Sequence, residues 1–390
     1  MSSFFTRLRL LWAAATRSGS FSLALIDSLY RIYLNHTKVI HFRDGLPVYS
    51  LTTPALFSKP AANFMARALY RTIQNRNLPN LMSFAVDDGC DAACEHCSFF
   101  TAVEEKGREV LSLAQATKAI ADAQDLGVSV INLVGGEPLG REDLPELVKS
   151  IDKSRSTTLL FTNGSALEKR AADLRKAGLD SVFVSIDAAD AARHDRFRRA
   201  PGLFDRALAG VRKAKRLGMS VGFSATITPE AWRDGELKRI VELGRSIGVH
   251  EVFVFDALPT GRYKSRCDLV GDGGGWVEEM VRWAAPYNAD ARYPGVTFFA
   301  YMTSHRSVGC SCGTSYFYLS PYGDVMSCDF NHAKFGNVLE EPLWRVWERL
   351  STLPEFGQAK WGGCKIKDPE FRGLETVSAG PQRRKELPLA

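Results

Sequence analysis

Cys90, Cys94 and Cys97 stand within eight residues of one another in the spacing C-x-x-x-C-x-x-C, immediately after an apolar run. Thiolates are soft ligands suited to zinc or to iron–sulfur clusters. A structural zinc site is closed by four ligands, and this stretch offers no fourth cysteine, only His96 inside the motif. Neighbouring residues of so short a loop rarely all turn onto one ion. Three thiolates on a four-iron cube instead leave one iron open to an outside ligand.

Other residues of chemical interest close later apolar runs. Gly135-Gly136-Glu137-Pro138 joins glycines, which let backbone come close to a ligand, to a carboxylate able to accept from an ammonium group, although such a stretch also makes a tight turn. "FTNGS" supplies Thr162 and Asn163, and "VSID" supplies Ser185 and Asp187, a hydroxyl and a carboxylate that suit vicinal hydroxyls. Asp187 and Ser165 also precede helical patterns and so read equally as N-caps. Arg196 and Arg198 offer bidentate forks to a carboxylate, or form a solvated basic face. Asp256 ends a further apolar run and is the candidate catalytic residue. Downstream, Cys310, Cys312, Cys328 and Cys364 supply enough thiolates for one more cluster, or for a zinc knot bracing the hairpin "YFYLSPYGDVMSC". Tyr316, Phe317, Tyr318 and Tyr322 in that hairpin read as core, and Cys267 has no partner by spacing.

These residues need a scaffold, and residues 81–256 supply one by repetition. An apolar β-rich run is followed by an amphipathic stretch ending in glycine, at Gly127, Gly178, Gly218 and Gly248. Strands are expected at 82–86, 128–134, 157–162, 181–186, 220–227 and 251–255, mostly continuous apolar as in parallel sheets covered by helices. Ser112 and Gln115 form a capping box ahead of one helix. Six β/α units in series give a doubly wound sheet or a partial (β/α)6 TIM-like barrel, with the cysteine loop at the carboxyl-terminal end of its strands. The expected division is a helical N-terminal extension over 1–80, the barrel over 81–260, a small Cys-rich region over 261–366 and a mobile tail over 367–390.

The cysteine loop, followed one β/α unit later by glycine-glycine-glutamate-proline, resembles the signature of the radical S-adenosylmethionine (SAM) enzymes, over roughly residues 81–350 and most strongly over 81–200. The resemblance implies that Cys90, Cys94 and Cys97 hold a [4Fe-4S] cluster whose open iron is chelated by SAM. One electron, from a donor such as flavodoxin or ferredoxin, would then yield a 5′-deoxyadenosyl radical that abstracts hydrogen from substrate. It further implies that Gly135, Gly136, Glu137, Asn163, Ser185, Asp187 and Arg198 lie at SAM. The residue before the third cysteine is usually aromatic in that family, and here it is His96. Gly323-x-x-x-x-Cys328, Gly336-Asn337-Val338 and the Trp344/Trp347 pair are similar to the SPASM domain or its shortened twitch form, and Cys310, Cys312, Cys328 and Cys364 suffice for one auxiliary iron–sulfur cluster.

Composition narrows the partners. The 390 residues are 45% hydrophobic and 24% charged, and a net charge of +6, spread along the chain rather than gathered into one basic block, mildly favours anionic partners and proves none; nucleic acid is not an expected partner. A chain with so full a core does not need its eight cysteines as disulfide staples, and their spacing points to metal in a reducing, cytoplasmic compartment. The apolar run at 10–15 behind Arg7 and Arg9 faintly resembles a secretion signal but is barely long enough for its apolar core, and no stretch reaches the ~20 apolar residues of a membrane span. Phe4, Phe5, Arg7, Arg9, Leu10, Leu11 and Trp12 fit a helix lying on the inner face of a membrane, or one packed on the barrel. The scaffold does not disclose the substrate, for which a peptide and a lipid or apolar metabolite both remain open. The other class of reading is a non-catalytic zinc-binding scaffold associated with nucleic acid, in which Gly135–Glu137 has no role.

Overall fold

The computed structural model describes residues 12, 38–74, 76–99, 107–270, 274–304, 306–356 and 363–372. Residues 38–80, expected to be helical, begin instead with a hairpin of β1 (His41–Arg43) and β2 (Leu46–Val48), and only Lys59–Gln74 forms a helix, α1. The hairpin turns through Asp44 and Gly45, both at positive φ, an Asp-Gly turn signal that the apolar helical pattern around it concealed. The expected N-terminal interfacial helix lies outside the described residues apart from Trp12.

The sheet begins with β3 (Leu81–Ala85). Next come α2 (Leu113–Asp125), β4 (Val130–Val134), α3 (Leu144–Ser150), β5 (Thr157–Thr162), α4 (Leu167–Ala177) and β6 (Ser181–Ser185). Two helices, α5 (Ala191–Arg198) and α6 (Leu203–Arg216), lead to β7 (Ser220–Ile227), and α7 (Pro229–Arg233) and α8 (Glu236–Ile247) lead to β8 (Glu251–Asp256). These strands pair in parallel in chain order. The chain thus forms the partial barrel, and its strands lie within two residues of the expected runs.

The strands look uniformly apolar in sequence, yet they alternate in kind. Met82, Phe84, Ile131, Leu133, Leu160, Val182, Val184, Phe223, Val252 and Val254 join the main core under the helices. The other face carries Ser83, Asn132, Ser185, Ser224 and Thr226 among aromatics, and these residues line a cavity. Helix α2 carries the expected capping box on Ser112 and Gln115.

Beyond residue 260 the sheet continues rather than stops. Helix α9 (Gly274–Ala289) delivers β9 (Gly295–Phe298) parallel to β8, a seventh β/α unit hidden because its strand is four residues long and follows Pro294. A one-turn helix, α10 (Phe299–Met302), follows directly. On the opposite edge β10 (Tyr316–Leu319) pairs in parallel with β3, and β11 (Asp324–Met326) and β12 (Lys334–Asn337) extend the sheet antiparallel, with α11 (Leu343–Ser351) packed behind. The Cys-rich region is therefore built onto the barrel's own edge. The tail expected from 367 starts against the barrel, where Lys367 is ion-paired to Asp256 at 2.8 Å and Phe371 is buried; residues 373–390 lie outside the described residues. Among the described residues no helix is long and apolar enough to cross a membrane.

The N-terminal segment closes the other end of the barrel. Val48, Leu51, Leu56, Phe64 and Leu69 pack with Val130, Leu159, Phe183 and Phe253. Buried Glu251 fastens this plug by accepting from Ser50 Oγ at 2.9 Å, Leu51 N at 2.6 Å and Thr297 Oγ1 at 2.7 Å. Burial pushes the Glu251 carboxyl up to about 7. Its folded-state pKa is raised, so the stability it adds is present below the ordinary carboxylate range and is lost as pH rises toward 7. Glu251→Gln, which cannot ionise, should flatten part of the fall in melting temperature between pH 4.5 and 7.5; an unchanged slope in thermal scans would contradict this role.

Candidate active site

Residues 86–99 leave the carboxyl-terminal end of β3 without regular structure, and neighbouring backbone satisfies them. From β4, Gly136 N donates to the Asp87 carbonyl at 2.9 Å and Glu137 N to the Gly89 carbonyl at 2.6 Å. A Cβ on Gly135, at φ +148°, would lie 2.6 Å from Asp87 O, and one on Gly136 would overlap the Gly89 carbonyl. The glycine pair thus serves the cysteine loop itself, where the sequence suggested close approach to a ligand. From the end of α5, the Arg198 and Phe197 carbonyls accept from Ala93 N at 3.0 Å and Glu95 N at 3.2 Å. Past β8, Arg262 N donates to the Cys97 carbonyl at 3.0 Å and Arg262 Nη1 to the Cys94 carbonyl at 2.7 Å. Gly261, at φ +54°, has no room for a Cβ against Cys97. Tyr322 reaches in from the β10–β11 turn to donate to Asp88 at 2.9 Å.

Cys90, Cys94 and Cys97 line a cavity of about 390 Å³ together with Gly135, Gly136, Glu137, Asn163, Ser185, Arg198 and Asp256. Burial pushes the Cys90 thiol up to about 12 and raises Cys94 as well, while Arg198, with Nη1 3.8 Å from Cys94 Sγ, opposes the rise at Cys94. A metal that takes thiolates here must displace protons.

The polar residues divide into those facing the cavity and those behind it. Glu137 accepts from Thr162 Oγ1, from Asn163 N at 2.7 Å and from Leu139 N at 3.1 Å, tying β4 to the mouth of β5, and burial raises its carboxyl to about 7. Asn163 Nδ2 donates to Asp91 at 2.6 Å, and Ser185 Oγ lies 3.3 Å from Ser224 Oγ. Asp187 does not line the cavity. It accepts from Arg198 Nε at 2.7 Å and Thr226 N at 2.8 Å, and lies 3.7 Å from His96 Nε2. Burial alone would raise the Asp187 carboxyl, but Arg198 and then the two histidines hold it below its usual range. Its alternative role as an N-cap falls to Asp190, which accepts from Arg193 N at 2.8 Å. Arg198 is thereby spent on Asp187 and Cys94. His96, in the position of an expected aromatic, behaves as one, stacking on Phe197 with centroids 4.6 Å apart, and burial lowers it to about 4.

Cys310, Cys312, Cys328 and Cys364 line the same cavity. Cys310 hydrogen-bonds with Cys312 and Cys364, and Cys312 with Cys328, so three separated segments bring their thiols together. Hydrogen bonds from Cys312 and Cys364 hold Cys310 well below the usual thiol range, whereas burial drives Cys312 up. An all-sulfur donor set of this kind fits an iron–sulfur cluster.

Several residues of this cavity escaped the sequence. Tyr316 and Tyr318 face it while Phe317 between them enters the main core, the period-two signal of a strand buried on both sides. Asp329, beside Cys328, is half-buried and bonded to Tyr316 and Ser83, and desolvation raises it.

A family model described as the radical SAM superfamily matches residues 86–243, and one described as an iron-sulfur cluster-binding domain, SPASM, matches residues 310–365. The chain belongs to the radical SAM superfamily. It is an enzyme of that family, and the two matches imply SAM binding and iron–sulfur clusters. An AdoMet-dependent heme synthase of Methanosarcina barkeri is 28% identical over 317 residues, which cover 75% of this chain and 90% of that protein. A PqqA peptide cyclase of Rhizobium meliloti is 26% identical over 319 residues, covering 78% and 84%. The crystal structure of Streptococcus suis SuiB bound to precursor peptide SuiA shares the fold, with a TM-score of 0.62 at 16% identity, covering 78% of this chain and 76% of that one.

Because a methyl group at residue 136 must displace the Gly89 backbone, Gly136→Ala should destabilise the protein by about 2–4 kcal/mol. Anaerobic thermal unfolding and iron analysis should show iron lost first from the Cys90–Cys97 loop; a wild-type melting temperature would contradict the packing argument.

Proposed function

We propose that Cys90, Cys94 and Cys97 hold a [4Fe-4S] cluster with one iron left for SAM, and that Cys310, Cys312, Cys328 and Cys364 hold one auxiliary cluster. The observation that carries this reading is the lining of one cavity by both groups of thiols. When bound, SAM and its cluster supply a 5′-deoxyadenosyl radical that abstracts a hydrogen atom from the substrate. Arg198 offsets the charge of the Cys94 thiolate, with Asp187 fixing its position. Glu137 locks the ends of β4 and β5 so that Gly135, Asn163 and Ser185 present a fixed surface to SAM. The plug on Glu251 closes the far end of the barrel and keeps bulk water from the reaction space. Asp256, held by Lys367, faces the substrate from the end of β8. An electron donor of the flavodoxin or ferredoxin type completes the system. The substrate carries a peptide or apolar group, which suits the aromatic part of the wall.

Anaerobic reconstitution should load about eight iron atoms per chain, as two four-iron clusters require. Replacing Cys90, Cys94 and Cys97 together by alanine should remove about half of that iron and abolish 5′-deoxyadenosine formation from SAM under reduction. A triple variant that still makes 5′-deoxyadenosine would overturn the assignment. Cys328→Ala and Cys364→Ala should each lose only the auxiliary cluster, so full iron content in both would overturn that part.

A further inference from the structure

The aromatic residues of the cavity form a connected wall. Phe161 meets Phe255 at 6.5 Å between centroids, Phe253 meets Phe255 at 4.8 Å, Phe255 meets Phe299 at 5.4 Å, and Phe299 meets Phe330 at 5.5 Å. The wall runs from β5 and β8 to the loop after Cys328, and Met302 adds a soft apolar contact beside it. Its order has local causes: Phe253 and Phe255 share the inner face of β8, and Thr260 Oγ1 pins the Phe330 carbonyl at 2.8 Å.

The charged groups of the described lining already have partners inside the protein. Glu137 is taken by Thr162 and two backbone amides, and Arg198 by Asp187. Asp256 is taken by Lys367 at 2.8 Å, and Asp329 by Tyr316 and Ser83. A carboxylate or phosphate on an incoming molecule would lose its water here and, among the described lining residues, meet no cation left over to replace it. A flat apolar group would instead gain edge and face contacts along the wall.

We propose that the substrate portion of this cavity receives an uncharged, flat apolar group against Phe255 and Phe299. The inference rests on the radical SAM reading above, which assigns the Cys90–Cys97 end of the cavity to SAM. It narrows the substrate to one that inserts a neutral aromatic or otherwise planar part and keeps any anionic part outside.

Equilibrium dialysis of the reconstituted, SAM-loaded protein tests this with 2-naphthamide, 2-naphthoate and decanamide as probes. The amide of the flat ring should bind at least about tenfold more tightly than the carboxylate of the same ring and than the linear amide. Phe255→Leu and Phe299→Leu keep an apolar core and should each weaken naphthamide about fivefold, with iron content and SAM affinity unchanged. Lys367→Gln leaves the Asp256 carboxylate uncompensated and should improve binding of 2-naphthylmethylammonium about tenfold. Equal affinity for naphthamide and naphthoate, or for naphthamide and decanamide, would overturn the inference. So would leucine variants that bind naphthamide like the wild type, or a Lys367→Gln variant with no gain for the ammonium probe. SAM binding measured on the same samples separates the two levels: its absence in the wild type defeats the underlying reading, whereas its presence with any of those results defeats only the inference.

Discussion

The contact on which the rest depends is the approach of the Gly135-Gly136 backbone to that of Asp87 and Gly89. The loop carrying three thiols has no ladder or helix of its own, so its polar backbone must borrow partners. It takes them from β4, from the last carbonyls of α5 and from the turn at Gly261 and Arg262, three segments far apart in sequence. Two of these contacts allow no side chain at the point of closest approach. The positions of Cys90, Cys94 and Cys97 are therefore consequences of barrel closure, and a loop held this way keeps its geometry only while the strands around it stay in register.

Electrostatics follows from that burial. Burial favours the protonated forms of Cys90 and Cys94, whose thiols are both raised. The fold answers with a buried cation, Arg198, placed against Cys94 and balanced from behind by Asp187, which a backbone amide and two histidines also steady. A buried ion pair of this kind adds little to stability by itself; its value is a fixed positive charge beside a ligand that must become a thiolate. The second group of thiols lies among the side chains of a sheet edge, with Lys365 near Cys310 and Cys312. Both groups open onto one lined space, which joins the two ends of the molecule into a single site.

Much of this was legible in the sequence, and what was not has identifiable causes. The β/α rhythm from Leu81 to Asp256 is strong because each strand must cover a helix layer, and glycines at helix ends mark four of the five returns, the exception being that from α3 to β5. The cysteine spacings, the Gly-Gly-Glu stretch and Asn163 and Ser185 at strand ends were visible as local patterns, and all of them reach the cavity. The pairing of Asp187 with Arg198 was not legible, because the two lie eleven positions apart across a turn and nothing local separates a ribose-facing carboxylate from a counter-ion. The inner face of the strands was hidden by chemistry that depends on depth: a serine or threonine among valines reads as strand, whichever way it points. Strand β9 and the hairpin at residues 41–48 are short elements tied to the sheet by long-range contacts, β9 by pairing with β8 and by Thr297 on Glu251, the hairpin by Arg43 on Ser181 and Thr157. Gly261 and Arg262 carry no local signal of their role because the backbone they support lies more than 160 residues earlier.

The central claim is that one cavity holds two thiolate-bound clusters, of which one alone has a place for SAM. Electron paramagnetic resonance of the dithionite-reduced, reconstituted protein, recorded before and after adding SAM, tests it most directly. The account predicts two overlapping reduced-cluster signals, one shifting on SAM addition and the other unchanged. Signals that are both indifferent to SAM would contradict it.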